Sequence, residues 1–255
     1  MADASSFAGA RELEGRVALV TGASRNIGRA IAVALAEGGA SLVLTARRDR
    51  SSLDETIAEV EAKGGRAVAL LGDLADPSEV KAIVGGGLAA FGRLDIIVNN
   101  ASTRNEAPIE ELSFEAWREV MTLTLDAPFL LLKAALEALS ASDRATIVNI
   151  GGMTAYTGAT QRAHVVTAKA GLDGFTKALA QDLAPRGITV NLVSPGMIDT
   201  VRAHGSPHHY GKTKNLVGRR GAPEEVAAMV RFLCGPDARY LTGQTVHVNG
   251  GGYLP

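Results

Sequence analysis

The sequence predicts a single-domain, doubly wound α/β protein, a seven-stranded parallel sheet with helices on both faces. Three observations carry this expectation. Seven short apolar runs rich in β-branched residues recur along the chain, six stretches of helical periodicity separate them, and a glycine-rich turn joins the first run to the first stretch. The runs are Val17–Val20, Leu42–Thr45, Ala67–Leu71, Ile96–Val98, Thr146–Ile150, Ile188–Val193 and Thr245–Val248. They are almost continuously apolar, as strands buried on both faces must be. Between them, Arg29–Glu37, Leu53–Lys63, Ser78–Ala90, Phe114–Leu139, Ala163–Leu183 and Glu224–Leu233 repeat apolar residues near i, i+3, i+4 and i+7. Asp76-Pro77 and Ala222-Pro223-Glu224-Glu225 mark two helix starts. No linker, repeat or low-complexity tract interrupts the pattern, so one domain is expected over 14–255, behind a tail of residues 1–13.

Composition narrows the class. Of 255 residues, 46% are hydrophobic, 21% charged and 4% aromatic, which excludes a disordered, collagen-like or disulfide-stapled chain. Lys and Arg number 26 against 27 Asp and Glu, a net charge of −1, so no basic field for nucleic acid is expected. A single cysteine, Cys234, fits a reducing compartment. The first residues carry Asp3, Glu12 and Glu14 and lack a basic, apolar leader, and no run reaches about 18 uncharged apolar residues. A cytoplasmic protein without a membrane span is the expectation.

The first strand runs into Thr21-Gly22-Ala23-Ser24-Arg25-Asn26-Ile27-Gly28, and a helix follows at once. Such a turn brings backbone close to a pyrophosphate seated on the positive end of the helix, as in Rossmann folds. Further motifs follow in order: Asp73-Leu74, Asn99-Asn100-Ala101-Ser102, Ser194-Pro195-Gly196-Met197-Ile198-Asp199-Thr200, Tyr240-Leu241-Thr242-Gly243-Gln244 and Val248-Asn249-Gly250-Gly251. Together they resemble the short-chain dehydrogenase/reductase family over roughly residues 14–252, nearest its 3-oxoacyl-carrier-protein reductase type. The resemblance implies a nicotinamide cofactor held by Gly22, Ser24, Arg25, Asn26, Ile27, Gly28, Asp73, Leu74, Asn100, Ala101, Ser102, Pro195, Gly196, Ile198 and Thr200. It also implies a homotetramer, or a mixed tetramer with an active homologue, and a substrate lid over about 199–220. Asn26 stands where the family has a glycine; Asn is the non-glycine residue most tolerant of left-handed backbone.

An NAD enzyme places an acid just after the second strand to accept from the ribose 2′-hydroxyl. Here Ala46 takes that place, Arg47 follows it, and Arg25 lies in the turn. Two guanidinium groups favour a 2′-phosphate, so NADP(H) is expected over NAD(H). The alternative is a solvated charge run.

Enzymes of this family use Asn, Ser, Tyr and Lys. Thr167-Ala168-Lys169-Ala170-Gly171-Leu172 matches the helix that carries the lysine, so Lys169 binds the cofactor ribose by resemblance. The Tyr, Ser and Asn places hold Val165, Gly152 and Thr124. Losing a general acid costs on the order of 10²–10⁴ in rate. Two neighbours are candidates to replace it. Tyr156, beside Thr154, is expected to border the substrate pocket, with a pocket-wall or interface aromatic as the alternative. His164 points about 100° from Val165 on the helix, which favours a helix-surface or interface position. The lid's His204, His208, His209 and Tyr210 are open to substrate contact or to solvent, and no metal site is expected from them. Arg104, Asn105 and Glu106 follow the fourth strand, where ligands sit in open sheets. Trp117 reads as core or interface packing.

Three functions compete: an NADP(H)-dependent oxidoreductase acting on a small-molecule carbonyl with a non-standard proton donor, a silent NADP(H)-binding sensor or partner subunit, and a non-redox lyase or isomerase.

Overall fold

The computed structural model describes residues 11–201 and 215–255. Its seven strands are β1 (Val17–Thr21), β2 (Ser41–Ala46), β3 (Arg66–Leu71), β4 (Ile96–Asn99), β5 (Thr146–Ile150), β6 (Thr189–Pro195) and β7 (Thr245–Val248). All pair in parallel, in the order β3-β2-β1-β4-β5-β6-β7, as the alternating pattern predicts. The order reverses direction between β1 and β4, and a ligand crevice is expected at the carboxyl ends there.

Alternation along β1 shows how both faces are covered. Ala18 and Val20 join one core with Ile31, Leu35 and Val230, while Val17 and Leu19 join another with Leu131, Leu139 and Val190. The first layer is supplied by α1 (Asn26–Glu37), α2 (Arg50–Ala62) and α8 (Pro223–Cys234), the second by α3 (Pro77–Phe91), α5 (Ala127–Ser140) and α7 (Ala163–Leu183). Leu13, assigned to the tail by sequence, is buried in the first core, and its N–H donates to the Gly38 carbonyl at 2.7 Å. Burial of a leucine contributes roughly 1.5–3 kcal/mol, enough to draw the segment into the domain.

The stretch Phe114–Leu139 differs from the single helix its periodicity suggests. It comprises α4 (Phe114–Met121), a π turn over Thr122–Asp126, and α5. Apolar spacing does not register the one-residue slip of a π turn. The short helix α6 (Thr154–Thr157) also escapes periodicity, being a single turn. On α5, Leu131, Leu132 and Leu139 face the protein's own core, and Phe129 is exposed.

At the opposite end of the sheet from the crevice, Asp95 is fully buried. It binds Arg93 at 2.7 and 2.8 Å, Ser142 at 2.6 Å and the Val17 N–H at 2.9 Å. Burial alone would raise its pKa, but these donors outweigh it and hold the carboxyl below its usual range. No helix among the described residues is long and apolar enough to cross a membrane.

Candidate active site

A cavity of about 1280 Å³ opens along the carboxyl ends of the strands at the reversal point. It is lined by Gly22, Ser24, Arg25, Asn26, Ile27 and Gly28 from the turn, Arg47 and Arg48 after β2, and Asp73 and Leu74 after β3. Asn100, Ala101 and Ser102 after β4, and Thr200 after β6, complete that wall. The structure thus brings together thirteen positions picked out by motif. Pro195, Gly196, Ile198 and Lys169 do not line it; Ile198 borders a smaller hollow beside Met197 and Val248.

Local geometry explains the turn. Gly22 has φ +62°, and a Cβ on Gly28 would stand 2.1 Å from the Gly22 carbonyl oxygen and 2.5 Å from Asn100 Nδ2. No side chain fits there. Asn100 locks the arrangement, its Nδ2 donating to the carbonyls of Thr21 and Gly22 at 2.9 and 3.0 Å. Asn26 adopts φ +51°, the left-handed backbone expected of it. Its side chain bridges to Val201, donating to the carbonyl and accepting from the N–H, both at 2.9 Å. A residue in the glycine-rich turn therefore fastens the root of the segment that follows β6.

Helices α2, α3 and α4 are each capped by a side chain, from Asp49, Asp76 and Ser113. Helix α1, like α5, α6 and α7, has no such cap, and its first residues Asn26, Ile27 and Gly28 line the cavity. Unsatisfied N–H groups and the helix dipole suit an anion at that place. Arg25, Arg47 and Arg48 line the same cavity, with Ala46 where an acid would be, and Arg47 lies 3.9 Å from Asp73. The chemistry of this donor set fits a dinucleotide carrying an extra phosphate. Arg48 was not singled out by sequence, although a second arginine after β2 was the available signal.

The catalytic positions are arranged differently. Lys169 is buried on α7 and donates from Nζ to the Ile150 carbonyl at 2.6 Å. Burial draws its pKa down to about 7, with the Arg104 charge acting the same way. Val165 packs with Val120, Met121 and Ala168 in a small apolar cluster, against which Trp117 leans. Thr124 is buried on the π turn, and a Cβ on Gly152 would meet nothing within 4 Å.

Both candidate substitutes lie elsewhere than expected. Tyr156 does not line the cavity. Its hydroxyl donates to Thr245 Oγ1 at 3.3 Å, and its ring stacks on Tyr253 at 5.4 Å and meets His247 edge-on at 4.9 Å. Burial pushes its pKa up to about 12, with the Asp173 carboxylate adding to the effect. Contacts from β7 and the C-terminal segment, distant in sequence, set this orientation. His164 is not on the surface but fully buried, with the Asn105 backbone as a polar neighbour. Burial lowers its pKa, the Asn105 backbone opposing this only in part. It is covered because the loop after β4 packs back on the start of α7, with Ala107 N–H donating to the Gln161 carbonyl at 2.9 Å and Glu106 gripping Arg162.

His204, His208, His209 and Tyr210 lie outside the described residues. Among the described residues no group of three or more His, Cys, Asp or Glu could hold a metal ion.

A parallel sheet with a glycine-rich turn, an uncapped first helix and a crevice at the strand reversal defines a dinucleotide-binding α/β protein. Comparison with known proteins makes this specific. A family model described as enoyl-(acyl carrier protein) reductase matches residues 22–252. The 3-oxoacyl-[acyl-carrier-protein] reductase of Vibrio cholerae is 38% identical over 246 residues, covering 95% of this chain and 99% of the relative. Among solved structures, a dehydrogenase/reductase from Sinorhizobium meliloti is 36% identical with a TM-score of 0.91, covering 96% of this chain and 98% of that one. A short-chain dehydrogenase from Burkholderia cenocepacia, solved in complex with NADP, is 35% identical with a TM-score of 0.89, covering 94% and 99%. The chain belongs to the short-chain dehydrogenase/reductase family.

Proposed function

We propose that the protein is an NADP(H)-dependent oxidoreductase that acts on the carbonyl of a small molecule without the family's tyrosine as proton donor. The observation that carries this reading is the cofactor wall: one cavity lined by the α1 N-terminus and by Arg25, Arg47 and Arg48, with Ala46 in the acid's place. Gly22, Gly28 and Asn100 hold in place the turn that lines the cavity. Arg25 and Arg47 bind the 2′-phosphate through parallel hydrogen bonds, which a neutral hydroxyl cannot match. Asp73 and Leu74 border the adenine, and Lys169 holds the nicotinamide ribose. When bound, the reduced nicotinamide supplies the hydride.

The chain's remaining task is to orient the carbonyl and deliver a proton to its oxygen. Val165 and Gly152 carry no hydroxyl, and Tyr156 faces β7. Lys169 does not line the cavity and its Nζ is on the Ile150 carbonyl, so the proton comes from water or from a group of the substrate's own. The test is NADPH consumption over a panel of aldehydes, ketones and oxo acids, in the wild type and in Lys169→Met. Turnover on some member, lost in the variant, supports the reading; no turnover on any member contradicts it.

The apolar packing of Val165 favours a second reading, a silent NADP(H)-binding subunit in a mixed tetramer. In that case NADPH binds and is never consumed. A homotetramer in the cytoplasm remains our assignment for the active form, by likeness to the family.

A further inference from the structure

Two walls of the cavity are joined by a pair of hydrogen bonds. Asn26 belongs to the glycine-rich turn and Val201 to the segment after β6, and both line the cavity. Asn26 Nδ2 donates to the Val201 carbonyl, and Asn26 Oδ1 accepts from the Val201 N–H, both at 2.9 Å. The side-chain amide thus uses its acceptor and one donor on the backbone of a single residue. Val201 is 81% exposed, so burial does not hold this pair closed and water competes for both groups.

Thr200 precedes Val201 and lines the cavity as well. On its other side, Asp199 N–H donates to the Gly221 carbonyl at 2.7 Å, and Gly221 N–H donates to the Met197 carbonyl at 2.9 Å. Arg220 Nη2 adds a bond to the Ile198 carbonyl at 3.1 Å. The backbone is therefore held on both sides of Thr200, by Gly221 before it and by Asn26 after it. The two holds differ in what they fix. Gly221 leads on to α8, whereas Asn26 ties Thr200 to the turn across the cavity.

We propose that Asn26 is a positioning residue, whose clasp on Val201 sets the spacing between the turn and the Thr200 wall so that one extended dinucleotide meets both. A ligand that touches two walls binds more tightly when their spacing is set beforehand, because less freedom is lost on binding. Linkage makes the effect reciprocal: the cofactor tightens the clasp by about the factor by which the clasp tightens the cofactor. A ligand confined to the turn and the arginines meets one wall and gains nothing from the clasp. The proposal rests on the NADP(H) site of the oxidoreductase reading and adds to it a residue that acts through Thr200.

The experiment compares the wild type with Asn26→Gly, which removes both bonds while glycine still accepts the φ of +51°. Each protein is titrated with NADPH by fluorescence. Each is also titrated by calorimetry with adenosine 2′,5′-bisphosphate, which carries the adenine and both phosphates but no nicotinamide half. In the variant, NADPH affinity is expected to fall about fivefold or more, and the loss for the bisphosphate to be smaller than about twofold. In the wild type, saturating NADPH should slow amide exchange at Val201 about fivefold or more, and the bisphosphate should not. A smaller loss of NADPH affinity, or a gain, overturns the proposal. So do equal losses for the two ligands, which would make Asn26 part of the turn's own structure, and Val201 exchange that NADPH leaves unaltered. Should Asn26→Gly not fold, the exchange measurement on the wild type decides. If the wild type binds neither ligand, the oxidoreductase reading fails and the proposal falls with it, whereas NADPH binding that the variant leaves unaltered fails the proposal alone.

Discussion

At the cofactor end of the cavity the chain is held by backbone contacts that leave no room for change, whereas the end we propose for chemistry is not constrained in that way. Gly28 cannot carry a Cβ, and Asn100 is tied to two carbonyls of the turn. Across the cavity, Gly152 has open space and Val165 sits in a small apolar cluster. Binding a dinucleotide depends on where the backbone runs, so its residues are fixed by geometry. Chemistry depends on which functional group stands at a position, and such a group can vanish without disturbing a strand. The two ends therefore carry separable information: one reports the ligand, the other the reaction.

The comparison is broken most severely by giving the cofactor end a side chain. Gly28→Ala drives a methyl into the Gly22 carbonyl, and NADPH affinity should fall on the order of 100-fold or more, with loss of stability from overpacking of about 1–3 kcal/mol. Fluorescence titration and thermal melts check both. Next comes Arg47→Ala, for which NADPH binding should weaken about tenfold to thirtyfold while NADH binding hardly changes.

The catalytic end should instead accept restoration. Gly152→Ser combined with Val165→Tyr is expected to raise carbonyl reduction about tenfold or more, because the serine enters open space. The tyrosine must push into the Val120–Met121 cluster, so a cost of about 1–3 kcal/mol in a denaturant melt accompanies the gain.

Lys169 joins the two ends, and pH reveals it. Its folded pKa lies below the unfolded value, so the unfolded chain binds more protons between about 7 and 10.5. Stability of the cofactor-free protein should therefore rise with pH through that window, and Lys169→Met should flatten the rise. Smallest of all is Tyr156→Phe. With its hydroxyl on Thr245, turnover should stay within about twofold and stability should fall by roughly 0.5–1.5 kcal/mol.

What could be read from sequence follows the same division. Strands such as Val17–Thr21 are apolar on both faces because helices cover both, and that pattern is local. The left-handed Asn26 was legible because few residues other than glycine accept φ near +51°. Tyr156 and His164 were not legible in the same way. One is turned by Tyr253 and His247, the other covered by the loop after β4, and neither partner is near in sequence. The bridge from Asn26 to Val201 spans 175 positions and left no local trace.

We propose that an NADP(H) site held by the backbone stands beside a catalytic one without the family's Ser, Tyr and Asn. Parallel fluorescence titrations of the wild-type protein with NADPH and NADH test it most directly. The claim predicts saturable NADPH binding about tenfold or more tighter than NADH. Equal affinities would remove Arg25 and Arg47 from phosphate recognition, and the absence of binding by either would contradict the claim outright.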